Sequence, residues 1–102
     1  MIPKAVRIFV CQEPQDMRRS FDGLSLAARE HVGEDVDAGA LFVFVNKRKN
    51  RLKVLWLDGR GHCILYKRLH RARFEIPGER IVDARSLAAI LRGVESSQSR
   101  WR

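Results

Sequence analysis

Lysine and arginine side chains at two predicted turns are the residues of this sequence best suited to chemistry. Of the twenty Lys and Arg residues, ten lie between positions 47 and 73, where Asp58 is the only acidic residue. Such side chains neutralise phosphates and release counterions, and the arginine guanidinium binds phosphate oxygens through two parallel hydrogen bonds. The candidate nucleic-acid-binding residues are Lys47, Arg48, Lys49, Arg51, Lys53, Lys67, Arg68, Arg71 and Arg73.

Two other interpretations of these cations are a solvated hairpin that favours solubility and a surface that docks on an acidic protein. A surface of mixed charge would serve solubility equally well, whereas this segment is nearly single-signed. Contact with nucleic acid is therefore the favoured interpretation, and an acidic partner protein is the main alternative.

Aromatic side chains in the same region raise the possibility of base stacking. Phe42, Phe44, Trp56 and Tyr66 could act as in sheets that bind single strands. The residues that flank them are apolar, which favours burial in a core instead. Tyr66 is the weakest case for the core, because two basic residues follow it directly.

Catalytic or metal-binding chemistry has little support in the sequence. No His or Cys pair falls at the spacing of a zinc site, and nuclease chemistry needs carboxylates that converge on a divalent metal. Asp16 and Asp22 are the best candidates, but helix capping or a salt bridge with Arg18 or Arg19 explains them more simply. We therefore predict a protein that is not an enzyme and has no catalytic residue, metal or cofactor.

The elements that must position the cations form an antiparallel meander. Strands are predicted over 41–45, 52–57, 62–69 and 74–76, because β-branched and aromatic residues alternate with turn signals at hairpin spacing. Alternate turns of a meander lie at the same end, so the basic tips 46–51 and 70–73 should be neighbours. The turn at 58–61 should lie at the opposite end.

The remaining chain supplies a further strand at 5–11, a short strand at 81–82 and two helices. The spacing of apolar residues predicts helices over 17–32, capped by Asp16, and over 84–92, capped by Asp83. The fold class is therefore α+β, with a meander of four to five antiparallel strands and both helices on one face. Because consecutive strand residues 55–57 are all apolar, a dimer partner or the N-terminal segment should cover the other face.

Length and composition are those of one globular domain. We expect a single domain over 1–95 and a frayed polar tail over 96–102. The net charge of +8 favours an anionic partner. No apolar run approaches the roughly 18 residues of a membrane span, and the start lacks a signal-peptide pattern. Cys11 and Cys63 are expected to be free thiols in a cytoplasmic protein.

Four blocks of the sequence are similar to a known family. Residues 16–24 resemble the block DMRKGFDGL, and residues 41–59 resemble LFVFRNRRGDRIKVLWWDG. Residues 66–77 are similar to YKRLERGRFVWP, and residues 87–94 are similar to LAMLLEGI. These blocks occur in the TnpB accessory proteins of the insertion sequence 66 family of bacterial transposable elements. The larger RNA-guided nuclease that shares the TnpB name is a different protein.

The resemblance implies a cytoplasmic bacterial protein that is encoded beside a transposase and assists transposition. It supplies no mechanism, so the mechanism depends on the residues. We expect binding to the phosphate backbone of DNA, at the element ends, through the basic tips. The alternative is an adaptor that docks on the transposase without specific DNA binding, and an enzyme acting on nucleic acid is a third. Other proteins of the same element and a homodimer are further expected partners.

Overall fold

The central sheet has five strands and is mainly antiparallel, in an α+β fold. The computed structural model describes residues 6–37 and 39–95. The strands of the sheet are β1 (Arg7–Val10), β2 (Ala40–Val45), β3 (Arg51–Leu57), β4 (His62–Arg68) and β6 (Ile81–Val82), in the spatial order β4-β3-β2-β1-β6. The predicted meander is therefore present in β2, β3 and β4, and the predicted short strand at 81–82 is confirmed.

One pairing departs from the meander, since β1 runs parallel to β2. Ile8 lies opposite Leu41 and Val10 lies opposite Val43 in this pair. Parallel neighbours need a long crossover connection, usually a helix. Here the crossover contains α1 (Phe21–Ala27) and a π-helical turn (Ala28–Val32) that continues it.

The two helices lie on opposite faces of the sheet, so the prediction that both pack on one face is wrong. Leu24, Ala27 and Val32 pack against Phe9 and Phe42 on what we call the α1 face. The second helix, α2 (Ala84–Arg92), packs on the opposite or α2 face, where Leu87 and Ile90 meet strand residues such as Val43 and Val54. Both faces of β2 are buried by the chain itself, which explains its continuous apolar run without a dimer partner.

The first helix is shorter than predicted at its N-terminus. Ser20 precedes it without a side-chain capping bond. Asp16, the predicted cap, instead binds Arg18 through the side chain and the main-chain N–H. Gly33 ends the π-helical turn at φ 83°, as its position indicates.

The second helix has the predicted bounds and the predicted cap. The Asp83 carboxylate accepts a hydrogen bond of 2.8 Å from the Ser86 N–H. This bond holds the pKa of Asp83 below its ordinary value. Gly93 follows the helix.

The predicted strand at 74–76 is wrong. The chain instead forms β5 (Ala72–Arg73), which pairs with β7 (Val94–Glu95) in a separate two-stranded sheet. Phe74 then enters the α2-face core, where it is fully buried. The Phe74 N–H donates to the Lys49 carbonyl, and residues 74–77 then line a cavity together with α2 residues such as Ser86 and Ala89.

Other predictions fall partly outside the described part of the chain. The predicted frayed tail, 96–102, lies outside the described residues.

Cys11 and Cys63 are free, as expected, and burial raises the pKa of the Cys11 thiol. No helix in residues 6–37 and 39–95 is long and apolar enough to span a bilayer.

Candidate nucleic-acid interface

The hairpin tip between β2 and β3 is shaped by Asn46. Its side-chain oxygen accepts hydrogen bonds from the N–H groups of Asn50 and Arg51, at 3.1 and 3.0 Å. Its amide nitrogen donates to the Asn50 side-chain oxygen at 2.7 Å. The chain then closes with Lys49 in the left-handed region, at φ 61°. This local network leaves residues 47–49 exposed to solvent.

The two basic tips lie side by side, as the meander predicts. The Leu69 N–H donates to the Asn50 carbonyl at 2.9 Å, and the Phe74 N–H donates to the Lys49 carbonyl at 2.7 Å. These main-chain bonds join the first tip to the second across the end of the sheet. We call residues 46–51 and 68–73 the basic end. It contains no acidic residue and seven cations: Lys47, Arg48, Lys49, Arg51, Arg68, Arg71 and Arg73.

The acidic loop 34–37 lies at the other end of β2, away from the basic end. Asp37 pairs with Arg7 at 3.2 Å, Asp35 pairs with Arg29 at 2.9 Å, and Glu34 pairs with Arg80 at 2.6 Å. These partners belong to β1, to the π-helical turn and to the chain before β6. The 58–61 turn also lies away from the basic end, because β3 runs its full length between them.

Two of the predicted binding residues do not present their charge at this surface. Lys53 is only 8% exposed, and its ammonium donates to the Arg19 carbonyl at 2.7 Å. Lys67 points to the α2 face, where its ammonium donates to the Leu91 carbonyl at 2.6 Å. Both cations are held by carbonyl groups of this chain. The other seven predicted residues all belong to the basic end.

Tyr66 is exposed, whereas the sequence favoured its burial. Its exposed fraction is 49%, while Phe42 and Phe44 are buried and Trp56 packs against the α2-face core, all three as predicted. Tyr66 lies on β4, an edge strand, opposite Lys53 in β3. The Arg51 guanidinium donates to its hydroxyl at 2.9 Å, and the Lys53 nitrogen lies 4.8 Å from its ring centroid.

A cavity of about 500 Å³ opens on the α1 face beside the first tip. Its walls are the segment Pro14–Arg18, the tip residues Asn46–Arg48, and the side chains of Arg51 and Tyr66. Arg18 is a basic residue that the sequence did not assign to the interface. The sequence did not predict this position of Arg18, because its patterns do not show that β1 pairs in parallel with β2. Beyond β1, the Cys11 N–H donates to the Val43 carbonyl and the Gln15 N–H donates to the Val45 carbonyl. The chain therefore continues alongside β2 as far as the tip.

Asp16 is the acidic residue in the wall of this cavity. Its carboxylate binds Arg18, with 2.7 Å between Oδ2 and the guanidinium Nη2, so the predicted salt bridge is confirmed. Hydrogen bonds from the Arg18 side chain and main chain lower the pKa of Asp16 to about 2. The carboxylate is thus ionised at neutral pH and offsets the charge of Arg18.

A second cavity, of about 850 Å³, lies on the α2 face of the same end. Lys49, Arg73 and Arg92 contribute its cations, and Phe74 and Ile90 contribute apolar walls. Arg73 also lies 3.8 Å from the Glu75 carboxylate. The cations of the basic end therefore face both sides of the sheet.

Groups that could hold a metal do not converge within residues 6–37 and 39–95. No cluster of three or more His, Cys, Asp or Glu side chains is found there. The absence of catalytic chemistry stays a prediction.

Comparison with known proteins identifies the family. A sequence model of the family described as "IS66 Orf2 like protein" matches residues 6–101. The "Uncharacterized protein y4hO" of Sinorhizobium fredii (strain NBRC 101917 / NGR234) is 34% identical over 110 aligned residues, which cover 100% of this chain and 96% of that protein. The "Uncharacterized protein y4jC" of the same strain is 34% identical over 74 residues, 72% of this chain and 63% of that protein. No solved structure matches the chain. The chain therefore belongs to the IS66 Orf2-like family, as its motifs predicted, and is a protein associated with insertion sequences.

Proposed function

We propose that this protein is a non-enzymatic accessory factor of transposition that binds the phosphate backbone of DNA through its basic end. The observation that carries the proposal is the pair of main-chain hydrogen bonds from Leu69 and Phe74 to the first tip. These bonds bring two separate runs of cations into one surface. Family membership supports the link to transposition but says nothing of DNA contact.

Five side chains of the basic end are exposed and carry most of the proposed contact: Lys47, Arg48, Lys49, Arg68 and Arg71. Each phosphate neutralised by such a side chain releases condensed counterions. Arg51 and Arg73 are half-buried in the cavity walls, where they can add directed hydrogen bonds to phosphate oxygens.

The test is the salt dependence of DNA binding. With about five phosphate contacts, log affinity should fall with log salt at a slope of about −4 to −5. Raising the salt from about 50 to about 200 mM should then weaken binding roughly several hundredfold. Element-end DNA and random DNA are compared, because phosphate contacts carry no base information.

Replacing Lys47, Arg48 and Lys49 by alanine should flatten the slope by up to about 3 units and weaken all sequences alike. The matched control replaces Arg29, Arg60 and Arg85 by alanine, which removes the same charge from exposed positions outside the basic end. An equal loss of DNA affinity in both variants would show that the net charge of the protein, and not the basic end, attracts DNA.

The adaptor on the transposase is the competing function, because an acidic protein surface could occupy the same cations. A wild-type protein that binds no DNA at low salt, yet co-purifies with the transposase of its element, would replace the DNA-binding proposal with the adaptor.

A further inference from the structure

Tyr66 is a half-exposed aromatic ring in the middle of the cationic surface. Two contacts set the orientation of its ring: the 2.9 Å hydrogen bond from Arg51 to its hydroxyl and the Lys53 ammonium over one ring face at 4.8 Å. Lys53 is in turn fixed by its bond to the Arg19 carbonyl. A ring held in this way loses little conformational freedom when a ligand stacks on its free face.

Cavities flank the ring on the α1 face. The larger, of about 500 Å³, carries Arg18, Lys47 and Arg48, and a smaller one of about 280 Å³ is lined by Arg51, Tyr66 and Arg68. Arg51 and Tyr66 belong to both cavities. A flat apolar surface thus lies between two cationic recesses on β4, which is an edge strand of the sheet within residues 6–37 and 39–95.

This combination suits an unpaired nucleotide. Proteins that bind single strands combine a cationic groove for the backbone with aromatic rings on which bases stack. A duplex offers phosphates to the same cations, but its base faces are occupied by neighbouring base pairs. The ring therefore adds affinity only for a strand whose bases are free.

We propose that the α1 face of the basic end binds unpaired DNA, with a base stacked on Tyr66 and the adjacent phosphates on Arg48, Arg51 and Arg68. This inference rests on the proposed function and names the form of DNA that the interface prefers. Exposed single strands at the ends of a moving element are the class of substrate that it would take.

The experiment compares an oligothymidylate of about 12 nucleotides with a hairpin duplex of the same length, at equal salt. The wild type should prefer the single strand. Tyr66→Ala should weaken single-strand binding by about five- to one-hundredfold and duplex binding by a clearly smaller factor, because the duplex offers no free base face to the ring. Tyr66→Phe loses the Arg51 hydrogen bond but keeps the stacking face and the Lys53 contact, so it should retain most of the single-strand affinity. The salt slope should be the same in all three proteins, because no charge is changed.

Tyr66 also offers a direct readout, because it is the only tyrosine in the chain. Its ring protons should shift upfield in NMR spectra when oligothymidylate binds, and not when the duplex binds. This measurement needs no variant, so it decides the question even if Tyr66→Ala fails to fold.

Three results would overturn the inference. The first is a Tyr66→Ala variant that loses equal affinity for the single strand and the duplex, or that loses affinity for neither. In both cases the ring does not distinguish unpaired from paired DNA. The second is ring signals that do not move. The third is tighter binding of oligouridylate than of oligothymidylate, which would reassign the surface to RNA. If neither DNA form binds at low salt, the proposed function itself fails.

Discussion

The single residue that most directly limits the charge of the interface is Asp16. Its carboxylate forms a salt bridge with the Arg18 guanidinium at the wall of the α1-face cavity. The folded pKa of about 2 is lower than the ordinary 3.8. The stabilisation from this pair is therefore present above pH 3.8 and is lost as the pH falls towards 2.

Replacing Asp16 by asparagine should strengthen DNA binding at neutral pH. The amide oxygen can still accept from the Arg18 N–H, while Arg18 loses its paired anion and can neutralise a phosphate. The salt slope should steepen by up to about 0.9, measured by titration at several salt concentrations. Asp22→Asn is the control, because Asp22 is exposed in α1 and does not line the cavity. A slope unchanged in Asp16→Asn would mean that Arg18 does not reach the DNA.

Among the elements, the small sheet of β5 and β7 holds the second tip against α2. Gly93 makes this possible, with φ 75° and ψ 177° at the end of the helix. A Cβ built there would lie 2.5 Å from Leu69 Cδ1 and 3.1 Å from the Arg73 carbonyl oxygen. Only glycine adopts this backbone conformation readily.

Gly93→Ala should lower the free energy of unfolding by about 1–3 kcal/mol, measured by urea denaturation. It should also weaken DNA binding, because the displaced tip carries Arg71 and Arg73. Gly78→Ala is the matched control: it has no positive φ, and its added Cβ would meet nothing within 4 Å. A stability equal to that of the wild type would show that the tip does not depend on β7.

On the scale of the whole molecule, charge is divided between the two ends of the sheet. The acidic loop is paired with arginines away from the basic end. Seven cations share the basic end, and the acidic side chains close to it include Glu75, 3.8 Å from Arg73, and Glu95, opposite Ala72 in β7. Like charges within about 10 Å repel each other at 0.1 M salt. The folded state thus carries electrostatic strain that a bound polyanion would relieve.

The wild type should accordingly unfold at a higher temperature in about 200 mM salt than in about 20 mM salt, because shorter Debye lengths screen the repulsion. The variant with alanine at positions 47, 48 and 49 should show a smaller increase. Its stability in low salt should equal or exceed that of the wild type, by up to about 0.5 kcal/mol for each replaced side chain. Scanning calorimetry at the two salt concentrations measures both. A variant less stable than the wild type in low salt would mean that these side chains support the tip.

Local patterns were sufficient for the meander, for α2 with its Asp83 cap, and for the adjacency of the two basic tips. Each depends on contacts between residues close in sequence: the strand period, turn lengths and one capping bond. Seven of the nine predicted binding residues lie in the basic end for the same reason. The family follows from the motifs alone.

The tertiary structure alone decided which side of the sheet each remaining element would occupy. The parallel pairing of β1 with β2 joins residues more than thirty positions apart, and neither strand pattern specifies it. That pairing brings Arg18 to the tip and places α1 opposite α2. Tertiary packing also decided the roles of Lys53, Lys67 and Tyr66. The ammonium of a lysine is buried only where a carbonyl of a distant segment accepts its hydrogen bond. An aromatic ring stays exposed only where no helix covers it.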